Sequence, residues 1–278
     1  MPKVDAKAEA KAEAQTSLSI SSQAEIKKQT TALIAFDRGL ALRELEISFS
    51  TADKNSPSGR GALIVALTRR TPNLTKLTLN FSGWLHTWQN CLGDALIEAL
   101  CGLKDLESFT HRATTAARTD FGQYTLMKLV SSWPKLRYLY LAGDSNGEMD
   151  DKKLGELPPA TCARESVTFE RCMANYEYLA PMFAGSGESL ETFEAWAMDG
   201  SLTLGGSRHP TPAFIIEHLA HAPKLERISI GGNEDHTGHI RMAFAKALTE
   251  PESFPVLRSL AYPGKEGTYK TGRGRNVI

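Results

Sequence analysis

The residues with the most obvious capacity for chemistry are two glutamates, Glu170 and Glu194. Each follows a short alternating apolar stretch, Val167-Thr168-Phe169 in one case and Leu190-Glu191-Thr192-Phe193 in the other. If those stretches are neighbouring strands, the two carboxylates face each other across one strand spacing. That is the equipment of general acid–base catalysis and of glycoside hydrolysis. A second group is His218 and His221, three apart beside Glu217, with Asp235, His236 and His239 further on. Histidines at that spacing can share a metal, but a tetrahedral site needs a third and usually a fourth protein ligand. A strand-like segment separates the two groups, so the expectation is solvent-facing histidines and no metal. Cys91 and Cys101 are ten residues apart, as are Cys162 and Cys172. Neither pair has the two-residue gap of a zinc knuckle or redox motif, and inert free thiols are expected. Gly185-Ser186-Gly187 and Gly205-Gly206 lack the lysine of a phosphate loop, so no nucleotide cofactor is expected. Gly272-Arg273-Gly274-Arg275 is read as a solubilising basic stretch.

What these side chains can do depends on the elements that carry them, and those are set by a repeat. An apolar residue, two variable ones, an apolar one, a variable one and another apolar one recur along the chain. The phrase reads Leu42-Arg43-Glu44-Leu45-Glu46-Ile47, then Leu74-Thr75-Lys76-Leu77-Thr78-Leu79. It returns as Leu136-Arg137-Tyr138-Leu139-Tyr140-Leu141 and Leu225-Glu226-Arg227-Ile228-Ser229-Ile230. The central apolar residues are Leu45, Leu77, Phe109, Leu139, Val167, Phe193, Ile228 and Leu260. They lie 26 to 35 residues apart, about the length of one strand plus one helix. Pro72, Pro134, Pro223 and Pro255 each stand five residues before a centre. Proline cannot continue a helix, so this shared phase marks where a helix ends and a strand is set up. Between strands, Gly61–Thr68, Asp94–Leu100, Tyr124–Val130, Ala213–Ala220 and Ile240–Leu248 carry apolar residues at helical spacing. A strand–helix unit cannot bury its apolar side alone, so the units must stack on one continuous core.

Composition sets outer bounds. Among 278 residues, 32 basic and 32 acidic side chains balance, so no whole-chain charge favours nucleic acid or an anionic membrane. The longest apolar run, Ala62 to Leu67, is far short of the roughly 20 residues of a membrane span. The first residues carry no apolar stretch of the signal-peptide kind, and the expectation is a soluble, cytoplasmic or nuclear chain. Residues 1–20 are expected to be a disordered Ala/Lys/Glu-rich lead-in, 21–263 the repeat array, and 264–278 a basic flexible tail.

The phrases PNLTKLTLN, WPKLRYLYLAG and APKLERISIGGN resemble leucine-rich repeats of the longer, ribonuclease-inhibitor-like type. They are similar to the repeat region of fungal F-box proteins, over roughly residues 30 to 263. The sequence departs from that pattern where an asparagine usually follows the strand, which here survives as Asn80 and, displaced, Asn233. It departs again at Gly143–Ala163, a polar stretch containing Pro158-Pro159 whose unit should lack a full helix. No F-box is recognisable in the N-terminal residues. The resemblance implies an α/β horseshoe solenoid of about eight repeats, with parallel strands on the concave face and helices on the convex one. It implies non-catalytic recognition of a protein partner by a monomer, in the setting of substrate recognition for a ubiquitin ligase. The alternatives are an adaptor or scaffold with no ligase connection, and a hydrolase using Glu170 and Glu194. In such a sheet side chains alternate, and residues between the strand leucines point into the open concavity. Most of that face is small and polar. Its middle holds Arg112, Tyr138, Tyr140, Glu170, Glu194 and Trp196 on four adjacent strands, the residue types that dominate protein-binding hot spots. These six are the expected partner-binding residues.

Overall fold

Period-two alternation buries one side of each phrase, and the polar side must then face away from whatever covers the apolar one. The computed structural model describes residues 16–21, 25, 28–29, 40–49, 64–82, 94–114, 123–142, 160–170, 183, 185–196, 212–231, 244–250, 252–261, 269–270 and 276–277. Nine of its strands are parallel and neighbour one another in sequence order. They are Ser17–Ile20 (β1), Glu44–Phe49 (β2), Lys76–Ser82 (β3), Ser108–Thr114 (β4), Tyr138–Ala142 (β5), Ser166–Glu170 (β6), Thr192–Trp196 (β7), Arg227–Gly231 (β8) and Ser259–Ala261 (β9). The sheet does not close on itself. Three helices, Asp94–Cys101 (α1), Gln123–Ser132 (α2) and Pro212–Leu219 (α3), precede β4, β5 and β8. Helical turns at 64–68 and 244–249 precede β3 and β9.

The register places every expected centre opposite the next. Leu45 pairs with Leu77, Leu77 with Phe109, Phe109 with Leu139, and so on through Val167, Phe193 and Ile228 to Leu260. All are buried, and one core runs the length of the sheet. Leu96 and Leu100 of α1, Met127, Leu129 and Val130 of α2, and Ile215 and Leu219 of α3 join that core from one side of the sheet. No helix among the described residues joins the core from the other side. Four units switch from helix to strand through a tight turn. The Leu74, Leu136, Leu225 and Leu257 amides donate to the carbonyls of Thr71, Trp133, Ala222 and Phe254, three residues back. The phased prolines occupy the second position of these turns, where a fixed φ is already correct. Phe254 has a positive φ of 51°, unusual for a residue with a bulky side chain.

The sheet extends beyond the expected array at its N-terminal end. Ser17–Ile20, assigned from sequence to the lead-in, forms β1, pairs Leu18 with Leu45 and Ile20 with Ile47, and buries both apolar side chains. Residues 1–15 lie outside the described residues. Within the expected flexible tail, Tyr269–Lys270 (β10) and Asn276–Val277 (β11) pair as a short antiparallel ribbon. Residues 160–164, immediately ahead of β6, are not helical, while residues 143–159, where no full helix is expected, lie outside the described residues.

Two polar residues occupy core columns. His111 sits between Leu79 and Leu141 in the third apolar position of the phrase and is buried. Arg164 stands three residues before Val167, where the other units place Leu42, Leu74, Leu106, Leu136, Leu190, Leu225 and Leu257. Its side chain is fully buried. The Arg164 guanidinium donates to the Cys162 sulfur at 3.2 Å and lies 5.9 Å from the Phe183 ring centre, while its Nε and one Nη have no hydrogen-bond partner.

Candidate functional site on the open face of the sheet

The open face is built from the first, third and fifth residues of each strand. In the central lane Glu46, Thr78, Thr110, Tyr140, Thr168, Glu194, Ser229 and Ala261 are mutual register neighbours, the order that the sequence phrase predicts. Its first strands are polar and linked by side-chain contacts, although the Asn80 Oδ1 is buried without a hydrogen-bond partner. The Asn80 amide donates to Glu46 at 2.8 Å and to Ser48 at 3.2 Å, and Lys76 pairs with Glu44 at 3.8 Å.

The middle of the face carries the large side chains. Arg112 on β4 is exposed, and its guanidinium carbon lies 4.9 Å from the Tyr140 ring centre. The half-buried Tyr140 hydroxyl donates to the Glu170 carboxylate on β6. Ala142, between Arg112 and Glu170 in register, is small enough to let both lean over Tyr140. Burial first, and then the hydrogen bond to Glu170, push the Tyr140 hydroxyl up to about 12, so it stays protonated and a donor. A second knot lies where the chain enters these strands. Tyr138 is 42% exposed, large for an aromatic residue, and its hydroxyl donates to Glu165 at 2.8 Å. Arg137 donates to the other Glu165 oxygen from Nε at 2.8 Å and from an Nη at 2.5 Å. The Arg137 guanidinium also lies 5.4 Å from the Tyr138 ring centre. The Tyr138 hydrogen bond, then Arg137, hold the Glu165 carboxyl below the usual range. The phenols are therefore fixed by carboxylates, with arginine planes beside their rings.

Of the six expected residues, Arg112, Tyr140 and Glu170 make one connected group, and Tyr138 belongs to the neighbouring knot. Arg137 and Glu165 are additions that the lane reading misses, because they stand one residue before a strand begins. Trp196 has its backbone between Glu170 and Gly231, while its indole lies outside the described side chains. Glu194 is half-buried between Thr168 and Ser229. Glu170 and Glu194 do not stand opposite one another: Glu170 pairs with Trp196 and Glu194 with Thr168. The reason is register, since Glu170 comes three residues after its centre and Glu194 only one. They are diagonal neighbours, a relation that separates Cα atoms by roughly 7–8 Å.

The other chemical groupings separate in the same way. His218 lies in α3 and His221 just after it, while Asp235, His236 and His239 lie outside the described residues. Among the described residues no three His, Cys, Asp or Glu side chains come together as a metal site. Cys162 is buried and free, its thiol pushed up by that burial, and Cys101 is half-buried and free. Cys91 and Cys172 lie outside the described residues, as do Gly205-Gly206 and Gly272–Arg275. Within Gly185-Ser186-Gly187, Gly185 has a packing role. A Cβ on Gly185 would come within 2.8 Å of the Ala160 carbonyl oxygen and of the Thr161 carbonyl carbon. No helix among the described residues is long and apolar enough to cross a membrane. No protein-family model matches the chain, and no curated protein matches it.

Proposed function

We propose that the chain is a leucine-rich-repeat solenoid of about eight repeats, extended by β1, that binds a protein partner non-catalytically on the concave face of its sheet. The observation that carries this reading is the knotted aromatic–arginine patch on β4, β5 and β6. Exposed tyrosines and arginines supply large contact area with few rotors. Here they are also held in place beforehand, which lowers the ordering cost of association. A patch of this kind suits recognition of another macromolecule better than enclosure of a small substrate, because it lies on an open sheet. Partner choice by a ubiquitin ligase is one setting in which such a surface would serve.

The test compares tagged wild-type chain with a Tyr138→Ala/Tyr140→Ala variant as bait, with partners identified by mass spectrometry. Circular dichroism establishes that both baits are folded. Hot-spot residues typically cost 2 kcal/mol or more on truncation, about 30-fold in affinity. A partner retained by wild type and lost by the variant supports the reading, and a cullin adaptor among such partners supports the ligase setting. Identical partner sets overturn the assignment of the site.

A further inference from the structure

Neighbouring units do not all close against one another in the same way. The seam between the β4 unit and the β5 unit is stitched by side chains. The Lys104 ammonium reaches across to the Ser132 carbonyl at the end of α2, at 3.1 Å, and the Trp133 indole N–H donates back to the Leu100 carbonyl of α1 at 2.8 Å. The preceding seam, between the β3 unit and the β4 unit, is built on the same phrase with other side chains. Counted from the first leucine of each phrase, Pro72 stands where Lys104 does, Gly102 where Ser132 does and Leu103 where Trp133 does. None of these three has a side-chain donor. The Thr68 and Thr71 hydroxyls donate to the Ile64 and Leu67 carbonyls of their own turn, and no side-chain hydrogen bond crosses between residues 64–72 and α1. A cavity of about 260 Å³ remains there, lined by the buried Leu103 and Ala99, by Pro72 and by the bare backbone of Gly102. A cavity of about 150 Å³ is enough to hold benzene, so this one has room for a branched aliphatic or phenyl side chain. Arg69 and Glu98 line the same cavity from opposite units, both exposed and neither in an ion pair with any described residue. A cation and an anion on two sides of an apolar hole select no net charge. They match a ligand that carries one charge of each sign beside an apolar group, and three neighbouring residues of a peptide segment supply that combination.

We infer that the seam between residues 64–72 and α1 is a docking site for one apolar side chain, of leucine or phenylalanine size, from a protein partner whose flanking residues carry one acidic and one basic group. The apolar side chain occupies the cavity that Lys104 and Trp133 close in the next seam. The partner's acidic group meets Arg69 and its basic group meets Glu98. This site lies on the helix side of the sheet and does not rest on the reading of the open face as a recognition surface.

The probe is a phage-displayed library of random dodecapeptides selected on the immobilised full chain and depleted on a closed-seam variant, Pro72→Lys/Leu103→Trp. That variant carries the side chains of the next seam at the same positions of the phrase. Should it not fold, depletion uses Arg69→Ala/Glu98→Ala, whose side chains are exposed. Enriched peptides are then measured by fluorescence anisotropy against wild type, Arg69→Ala, Glu98→Ala and the Tyr138→Ala/Tyr140→Ala variant, all verified as folded. The expected result is peptides that share one large apolar residue between an acidic and a basic one. Replacing the apolar residue by alanine should weaken binding roughly tenfold or more. Arg69→Ala and Glu98→Ala should each weaken it roughly threefold, the scale of an exposed ion pair, and the tyrosine variant should leave it unchanged. No peptide that distinguishes wild type from the depleting variant, or distinguishing peptides that ignore both Arg69→Ala and Glu98→Ala, would overturn the inference. Peptides that lose binding only to the tyrosine variant would place recognition on the open face and overturn the seam alone.

Discussion

Replacing Arg164 with leucine should make the protein more stable, although it removes the largest polar side chain in the core. Arg164 is completely shielded from water, and burial pulls its pKa below the usual arginine range. A guanidinium does not lose its proton under ordinary conditions, so the charge is buried as a charge. Two of its nitrogens have no hydrogen-bond partner. Each such group costs about 1–3 kcal/mol, against about 1 kcal/mol recovered from the Cys162 sulfur contact and the Phe183 ring. The position belongs to a column that is leucine in every other full phrase, from Leu42 to Leu257, so an apolar side chain fits the neighbouring units. Some of the gain is lost to the smaller volume of leucine, and Arg164→Met is the control that fills more of it. The expected balance is a stabilisation of about 1–3 kcal/mol for Arg164→Leu, within the range seen when buried ionic groups give way to hydrophobes. Urea unfolding followed by far-ultraviolet circular dichroism measures it, with equal slopes required before midpoints are compared. A loss of more than about 1 kcal/mol in both variants would refute the reasoning, because it would mean that the guanidinium has a partner worth more than its desolvation.

Two further outcomes follow from the packing. Burial holds His111 down at about 3, against an ordinary value of 6.5, so the folded chain keeps it neutral while the unfolded chain takes up a proton. Its contribution is therefore full above pH 6.5 and drains as pH falls toward 3, by about 2 kcal/mol at pH 5. His111→Leu, which matches Leu79 and Leu141 on either side, should flatten that part of the stability–pH curve, and thermal melts at pH 7.5 and pH 5 would show whether it does. Gly185→Ala should destabilise by roughly 1–3 kcal/mol, because its Cβ would meet main-chain atoms that cannot rotate away. An unchanged urea midpoint for that variant would mean that the crossing of residues 185–189 over 160–161 is looser than described.

The strand lanes are legible in the sequence because two independent signals agree. Alternation defines which side chains share a face, and the phased prolines mark where β3, β5, β8 and β9 start, so register follows without any long-range information. Where the phrase itself is incomplete, the reading is harder. β1 offers Leu18-Ser19-Ile20 but no leucine three residues earlier and no turn proline, and it is embedded in an Ala/Lys/Glu-rich context that outweighs it. The unit at β6 is visible only as Val167-Thr168-Phe169, since Arg164 breaks the first position of its phrase. The diagonal relation of Glu170 and Glu194 is contained in the same register that aligns the centres. It is missed when residues are assigned to strands without counting their distance from the centre. The Arg137–Glu165–Tyr138 knot is of another kind. It depends on how side chains bend at the beginning of adjacent strands, where strict alternation no longer governs direction.

The candidate patch occupies a particular place in this pattern. β5, which carries Tyr138 and Tyr140, has the His111 strand on one side and the Arg164 unit on the other. Each strand in the sheet pairs only with its sequence neighbours, so the stability of β5 depends directly on these two units. The surface contacts above them do not offset two buried polar groups. Exposed ion pairs such as Arg137–Glu165 contribute about 0–1 kcal/mol, and exposed cation–π contacts about as little. Their effect is geometric. With Arg112 against the Tyr140 ring and Glu170 on its hydroxyl, the Tyr140 phenol is fixed from both neighbouring strands, and Tyr138 is fixed by Glu165 ahead of β6 and by the adjacent Arg137. On the proposed reading of this face as a recognition surface, locked large side chains above a compromised core trade stability for geometry. On that reading Arg164→Leu and the Tyr138→Ala/Tyr140→Ala variant should separate: the first shifts the urea midpoint and leaves partner capture unchanged, and the second loses the partner while remaining folded.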